Sequence, residues 1–292
     1  MGKDEFLKYL QYEKRYSLKT VLSYGIDLEQ FIEFQSQASG VIDPGSITDR
    51  QIRAWIVQLS DNGISPRSIN RKITCLKSFF KYHQRIGTID HNPVDKVTRL
   101  KQKKELPWFV DVNSTEALFS NVEFDDSYEG RRDFFILEIL YATGIRLSEL
   151  INIKIEDIDS SRGNLKVLGK RKKERIVPLS GRMFESINQY LNERNTLVTD
   201  NRYLFVTSKG KKLYEKLVYR ICVKYLSMVT TIDKRSPHVM RHTFATHMLN
   251  NGADINIIKE ILGHTNLSAT QVYTHNSFEK LKNVYKKAHP RN

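Results

Sequence analysis

The chain has 292 residues, with 47 Lys or Arg against 33 Asp or Glu, a formal net charge of +14 and a sequence pI near 9.6. Forty per cent apolar residues suffice for ordinary hydrophobic cores, which excludes a disordered or fibrous chain, and at about 150 residues per domain there is room for two. The charge favours polyanions: DNA, RNA or an acidic membrane surface.

The positive charge clusters. Lys96 to Lys104 holds five basic residues and no acidic one, and Lys166 to Arg175 holds six against the single Glu174. Charge runs are usually solvated faces, but these two fall at an expected linker and an expected hairpin, which shifts the balance toward nucleic acid. Cys75 and Cys222 lie in different halves and suit no metal or disulfide pattern, so they read as buried or incidental thiols of a reducing compartment. The start MGKDEFLKYL lacks the apolar core of a signal peptide, and no stretch approaches the roughly 18 apolar residues of a membrane helix. A cytoplasmic protein without membrane insertion is expected.

The first hundred residues read as short helices. Leu18, Val21, Leu22, Leu28, Phe31 and Ile32 approximate a 3.6-residue stripe behind a Ser17 cap. Thr48-Asp49-Arg50-Gln51 has capping-box form ahead of Ile52, Trp55, Ile56 and Leu59. Asn62-Gly63 ends that helix and Ser65-Pro66 opens the next, with Pro where its missing N–H is harmless. The new helix turns Ile69, Ile73, Leu76, Phe79 and Phe80 inward and carries Arg67, Arg71, Lys72, Lys77 and Lys81 on its polar side. Arg67, Asn70 and Arg71 are candidates for reading bases. Gly87 and Asn92-Pro93 then interrupt the chain. The expected organisation is an N-terminal helical domain over 1–93, a basic linker over 94–107 and a second domain over 108–292.

The second domain opens with helices over 114–121, about 131–143, and after Arg146. The period then changes: Leu165 to Leu168 and Arg175 to Leu179 alternate around a basic tip, which predicts a small antiparallel hairpin. Helices resume near Gly181, with Tyr203 to Val206 a further strand or extended segment. Ser236-Pro237 opens a helix that places His238 and Arg241 on one face. An arginine fork fits two phosphate oxygens, and a neighbouring histidine can donate a hydrogen bond or a proton. His242 follows His238 by four, but Val239 and Met240 supply no Glu of a His-Glu-x-x-His zinc motif, and no metal is expected. A helix capped by Asp254 runs to Gly263, which leaves His264 just past its end, and Tyr273 follows. Singly, His264 and Tyr273 are ordinary loop and packing residues. The ordered set is what carries information.

That set resembles the tyrosine recombinases of the phage integrase family, and within them the Xer subgroup (XerC/XerD-like). Ala142-Thr143-Gly144-Ile145-Arg146-Leu147-Ser148-Glu149-Leu150 resembles their first arginine box. His238-x-x-Arg241, Leu262-Gly263-His264 and Tyr273 resemble the second. Val167-Leu168-Gly169-Lys170 through Glu174-Arg175 is similar to the hairpin that bears the catalytic lysine, and Ser236 to His247, Asn251-Gly252-Ala253-Asp254 and His289-Pro290-Arg291 point to Xer. The likeness covers essentially the whole chain.

The resemblance implies a mainly α fold with a small antiparallel β-sheet (α+β), in which an N-terminal helical SAM-like core-binding domain and a C-terminal catalytic domain form a C-shaped clamp. Tyr273 would attack a DNA phosphodiester to give a 3′-phosphotyrosyl link and a free 5′-hydroxyl. Arg146 and Arg241 would clamp the phosphate and His264 would hydrogen-bond it. His238 would serve as acid/base partner of Tyr273, and Lys170 would protonate the leaving 5′-oxygen. Glu149, at i,i+3 from Arg146, would orient an active-site base or basic side chain. Bond energy kept in the phosphotyrosine calls for no ATP, and the arginine pair supplies the charge a divalent ion otherwise would, so no cofactor is implied.

The implied partners are a double-stranded recombination site and a homo- or heterotetramer on two DNA sites, with a second Xer recombinase and a cell-division DNA translocase as regulator. The implied role is chromosome dimer resolution. A final helix over 278–287 would dock on a neighbouring protomer or pack on its own domain. Competing readings are an integrase of a mobile element, a non-catalytic DNA-binding protein and a type IB topoisomerase. The direct start on the helical domain, without an arm-binding module, is expected to favour chromosome dimer resolution over a mobile-element integrase.

Overall fold

The computed structural model describes the chain apart from residues 1, 40–42, 103–106, 170–172, 198–200, 264–274 and 291–292. Two compact units result, Met1–Glu105 and Leu106–Asn292. Both are largely helical, and the second holds the small sheet.

In the first unit α1 (Lys3–Lys8) runs into a π-turn over Tyr9–Glu13. There follow α2 (Leu18–Ser39), α3 (Asp49–Asp61), α4 (Pro66–Arg85) and a 3₁₀ turn at Pro93–Lys96. The helix starts follow the local chemistry. Thr48 N–H donates to Gln51 Oε1 at 2.8 Å while Gln51 N–H donates to Thr48 Oγ1 at 3.3 Å, a reciprocal capping box. Ser65 caps α4 with Pro66 in its first turn. Phe6, Phe31, Trp55, Phe79 and Phe80 form the centre of the core, with Phe31 and Trp55 edge to face at 5.0 Å.

Three expectations for this unit change. Leu18 and Leu22 are exposed, because α2 turns Val21, Leu28 and Phe31 inward instead. Lys72 is not on the polar side of α4: it is 5% exposed and donates to Asp27 Oδ1 at 2.9 Å. Asp27 is itself buried on α2, and a buried carboxylate needs a cation, so it draws Lys72 in and Arg71 alongside. Finally, the chain from Pro93 to Leu100 belongs to this unit. Val94 lies in the core, and Asn70 exchanges two hydrogen bonds of 2.9 Å with the backbone of Leu100. The first residues of the linker expected over 94–107 are therefore packed on this unit as far as Leu100.

The second unit runs α5 (Val112–Ser120), α6 (Tyr128–Thr143), α7 (Leu147–Leu150), β1 (Ile158–Asp159), β2 (Asn164–Leu168) and β3 (Glu174–Pro178). It continues through α8 (Gly181–Leu197), α9 (Glu215–Leu226), α10 (Pro237–Asn250), α11 (Ile255–Leu262) and α12 (His275–Ala288). The strands form an antiparallel sheet in the order β1-β2-β3, with Leu165 opposite Val177 and Leu168 opposite Glu174. The expected hairpin is thus β2-β3, with β1 added at its edge. Tyr203 and Val206 form only isolated bridges, to Lys154 and Lys212.

Helix α6 is charged over its first turns but apolar from Phe134 to Ala142 apart from Glu138, and it is buried nearly throughout, the pattern of a central helix; α10 packs against it. Leu281, Tyr285 and Ala288 of α12 lie in the core of this same unit, and His289 Nε2 donates to the Tyr141 carbonyl at 3.3 Å. Among the described residues no helix is long and apolar enough to cross a membrane.

Candidate active site

The end of α6 sets the site. Gly144 caps that helix at φ +58°, a left-handed conformation glycine adopts without strain. Two residues later the chain is extended at Arg146 and turns at once into the single turn of α7. Glu149 closes that turn by accepting from the Arg146 backbone N–H at 2.8 Å and from Arg146 Nη1 at 2.8 Å. The i,i+3 spacing visible in the sequence is thus used twice.

Arg241 reaches the same place from α10. Ser236 caps that helix and Pro237 starts it, so Arg241 falls one turn in, on the face packed against α6. Its Nη1 donates to the Gly144 carbonyl at 2.6 Å and its Nη2 to the Leu262 carbonyl at 2.7 Å. Arg146 Nη2 donates to the next carbonyl, that of Gly263, at 3.1 Å. Two guanidinia from separate helices therefore meet on consecutive carbonyls at the end of α11, immediately before His264.

The electrostatics of this meeting are uneven. Glu149 forms ion pairs with Arg146 at 2.8 Å and with Arg175 at 2.8 Å. Arg241, 8% exposed, has no carboxylate in salt-bridge reach among the described residues. Burial, reinforced by the charges of Arg146 and Arg175, pulls Arg241 down to about 9. It remains charged at neutral pH but poorly compensated. Burial pushes the Glu149 carboxyl up, but the hydrogen bonds and charge of Arg175, then those of Arg146, win and hold it below the usual carboxylate range. The site is arranged to receive a further anion.

Of the expected residues, Arg146 and Arg241 are brought together and His238 is exposed on the first turn of α10. Lys170, His264 and Tyr273 lie outside the described residues. Glu149 orients basic side chains, as the resemblance implied, and they are those of Arg146 and Arg175. The sequence placed Arg175 at the end of the hairpin's basic run and the start of its second strand, with no role in the site. Its signal was its place on the alternating strand, where Arg175 and Val177 share a face and both are buried. His247 is a core residue whose Nδ1 bonds the Tyr141 hydroxyl at 2.9 Å.

Comparisons with known proteins agree with this architecture. Residues 109–280 match the Phage integrase family, and residues 4–87 match the Phage integrase, N-terminal SAM-like domain. Tyrosine recombinase XerC of Chlorobaculum tepidum is 37% identical over 98% of this chain and 94% of its own length. Tyrosine recombinase XerC of Staphylococcus aureus is 39% identical over 99% and 96%. Among solved structures, XerH site-specific recombinase bound to palindromic difH substrate shares the fold at TM-score 0.75, with 21% identity over 96% of this chain and 83% of that one. The Tn1549 transposon integrase in complex with transposon right end DNA does so at 0.72, with 20% identity over 95% and 97%. This chain belongs to the phage integrase family and is a tyrosine recombinase.

Proposed function

We propose that this protein is a site-specific DNA recombinase that resolves chromosome dimers, cutting and rejoining DNA through a 3′-phosphotyrosyl intermediate. The observation that carries the reading is the convergence of Arg146 and Arg241 on the consecutive carbonyls of Leu262 and Gly263, with Arg241 lacking a carboxylate partner among the described residues. Two planar donor forks at one point suit the non-bridging oxygens of a phosphodiester. Their charge grows in value as the phosphorus passes through its five-coordinate transition state.

In this reading Tyr273 Oη forms the new bond to phosphorus and the bond to the 5′-oxygen breaks. The tyrosine proton passes to His238, Lys170 delivers a proton to the departing 5′-oxygen, and His264 hydrogen-bonds the phosphate. The reverse sequence, with a different 5′-hydroxyl attacking, rejoins the strands. Charge and atoms balance without a nucleotide. The name Tyrosine recombinase XerC carried by relatives that match nearly end to end fits chromosome dimer resolution, and a tetramer on two DNA sites with a second recombinase among its partners belongs to the same proposal.

The test is a duplex carrying the host's chromosomal resolution site with a nick beside the cleavage position, incubated with wild-type protein and Tyr273→Phe. A covalent protein–DNA adduct from the first and none from the second, with equal binding, is expected. An adduct that persists in Tyr273→Phe, or none from the wild type, overturns the chemistry. Strand exchange confined to the ends of a mobile element overturns the chromosomal role.

A further inference from the structure

The Glu149–Arg175 pair lies where four segments of the second unit meet. Arg175, on β3, donates Nη1 to Glu149 Oε1 at 2.9 Å and Nη2 to Glu149 Oε2 at 2.8 Å, and turns Nε to the Ile261 carbonyl of α11 at 2.7 Å. Glu149 gives its remaining acceptor capacity to the backbone and side chain of Arg146. Gly169, at the exit of β2, passes so close that a Cβ there would sit 3.5 Å from Glu149 Oε1 and 3.6 Å from Arg175 Nη1. Its N–H donates to the Lys173 carbonyl at 2.7 Å, which closes the hairpin beneath its tip. On the other side Gly263, at φ +65°, leaves only 3.1 Å between a would-be Cβ and Arg175 Cδ. One buried guanidinium side chain therefore lies beside both Gly169 and Gly263, bonds the end of α11 at Ile261, and is linked to Arg146 through Glu149.

Stability alone does not account for a fork at this position. A buried ion pair contributes little net stability over an apolar group of the same volume, because desolvation offsets the attraction. What an apolar side chain cannot do is fix direction. The planar guanidinium sets the angle between β3, α7 and the end of α11 by three N–H bonds at once, which a lysine ammonium does not reproduce.

We propose that Arg175 is a positioning residue of the reaction, registering the exit of β2 at Gly169 and the end of α11 at Gly263 against Arg146, and so against the phosphate that Arg146 and Arg241 would hold. This rests on the recombinase reading above. It adds a residue that touches neither DNA nor the reacting atoms.

The experiment uses full-length protein carrying Arg175→Lys or Arg175→Met, with Glu149→Gln as a second route to the same break. Adduct formation is measured on the nicked duplex with either oxygen or sulfur at the bridging 5′ position. A thiolate departs without needing a proton, so the sulfur linkage is insensitive to a misplaced acid. Expected are unchanged duplex binding and a rate on the oxygen linkage reduced by about 100-fold, the size of loss an ångström of misplacement causes. Most of that loss should be recovered on the sulfur linkage, and Arg175→Lys should fail to rescue the oxygen linkage.

Hydrogen exchange supplies a readout independent of chemistry. It should quicken at the amides of 169 and 261–263 and stay unchanged in α6. A folded Arg175→Lys or Arg175→Met that cleaves within a few-fold of wild type overturns the proposal, as does equal loss on both linkages with unchanged exchange. If the wild type itself forms no Tyr273-dependent adduct, the recombinase reading falls and the exchange pattern alone decides whether Arg175 ties hairpin to helix end.

Discussion

The guanidinium of Arg241 donates to the carbonyl of Gly144 at 2.6 Å, so a side chain of α10 is held by the residue that caps α6. The cap and the candidate phosphate site are one piece of structure. A Cβ on Gly144 would lie 2.5 Å from Phe244 Cδ1 and 2.8 Å from Leu262 Cδ2, at a φ of +58° that disfavours any side chain. Gly144→Ala should therefore destabilise the second unit by roughly 2–4 kcal/mol. It should also lower adduct formation beyond what unfolding explains. Denaturant melts with and without the substitution measure the first effect, and a shift below about 0.5 kcal/mol would show that the packing here yields.

Arg241 predicts a response to simple anions. Its buried charge costs stability below about 9, and the cost is relieved as pH rises from there toward the ordinary arginine range. An anion bound between Arg146 and Arg241 removes the same cost at neutral pH. Inorganic sulfate should raise the melting temperature of the wild type more than that of Arg241→Met, and the difference should fade as pH passes about 9. Equal stabilisation of both proteins would mean that sulfate acts elsewhere.

Glu149 predicts an acid limb. Its folded carboxyl lies below the ordinary range, so it contributes stability that is present above the unfolded value of about 4.3 and is lost as pH falls through the lower folded value. Glu149→Gln leaves two guanidinia without their carboxylate and should cost about 3–5 kcal/mol at neutral pH. It should also flatten part of the acid dependence. Urea melts from pH 3 to pH 7 test this, and parallel curves for the two proteins would sink it.

The basic face of α4 is smaller than its sequence suggests. Lys72 is paired with Asp27, while Arg67 and Lys81 are exposed. Removing an exposed cation that contacts a phosphate should reduce the slope of log binding against log salt by about one. Lys72→Met should leave that slope unchanged and lower stability instead. A salt titration in which Lys72→Met behaves like Arg67→Ala would contradict the structure.

Cys75 and Cys222 are buried free thiols, one in each unit, and burial pushes both well above the ordinary thiol range. A thiol reagent should modify neither in the native protein. In rising urea, Cys75 should report the opening of the first unit and Cys222 that of the second. Rapid native labelling of either would show the burial to be wrong.

Much of this was legible because the determining interactions are local. Thr48 with Gln51, Ser65 with Pro66, and Asp254 ahead of α11 are helix starts written within four residues, and Gly144 and Gly263 mark helix ends by the conformation they alone adopt easily. Lys72 and Arg175 were not legible, for a common reason. Each is a basic residue in a basic stretch, and each is buried by a carboxylate that the chain supplies from elsewhere, Asp27 for one and Glu149 for the other. A charge pattern read along the chain counts such residues as solvated. Only the fold reveals that their partner is at hand.

The Asn70 amide donates to the Leu100 carbonyl and accepts from the Leu100 N–H, so one side chain offers the backbone the donor and acceptor pair that a neighbouring strand would. Residues that belong to no helix or strand are thereby tied to α4 as a ladder ties two strands. Asn70→Asp keeps the acceptor and loses the donor, which undoes half of that tie while leaving the shape of the side chain unchanged.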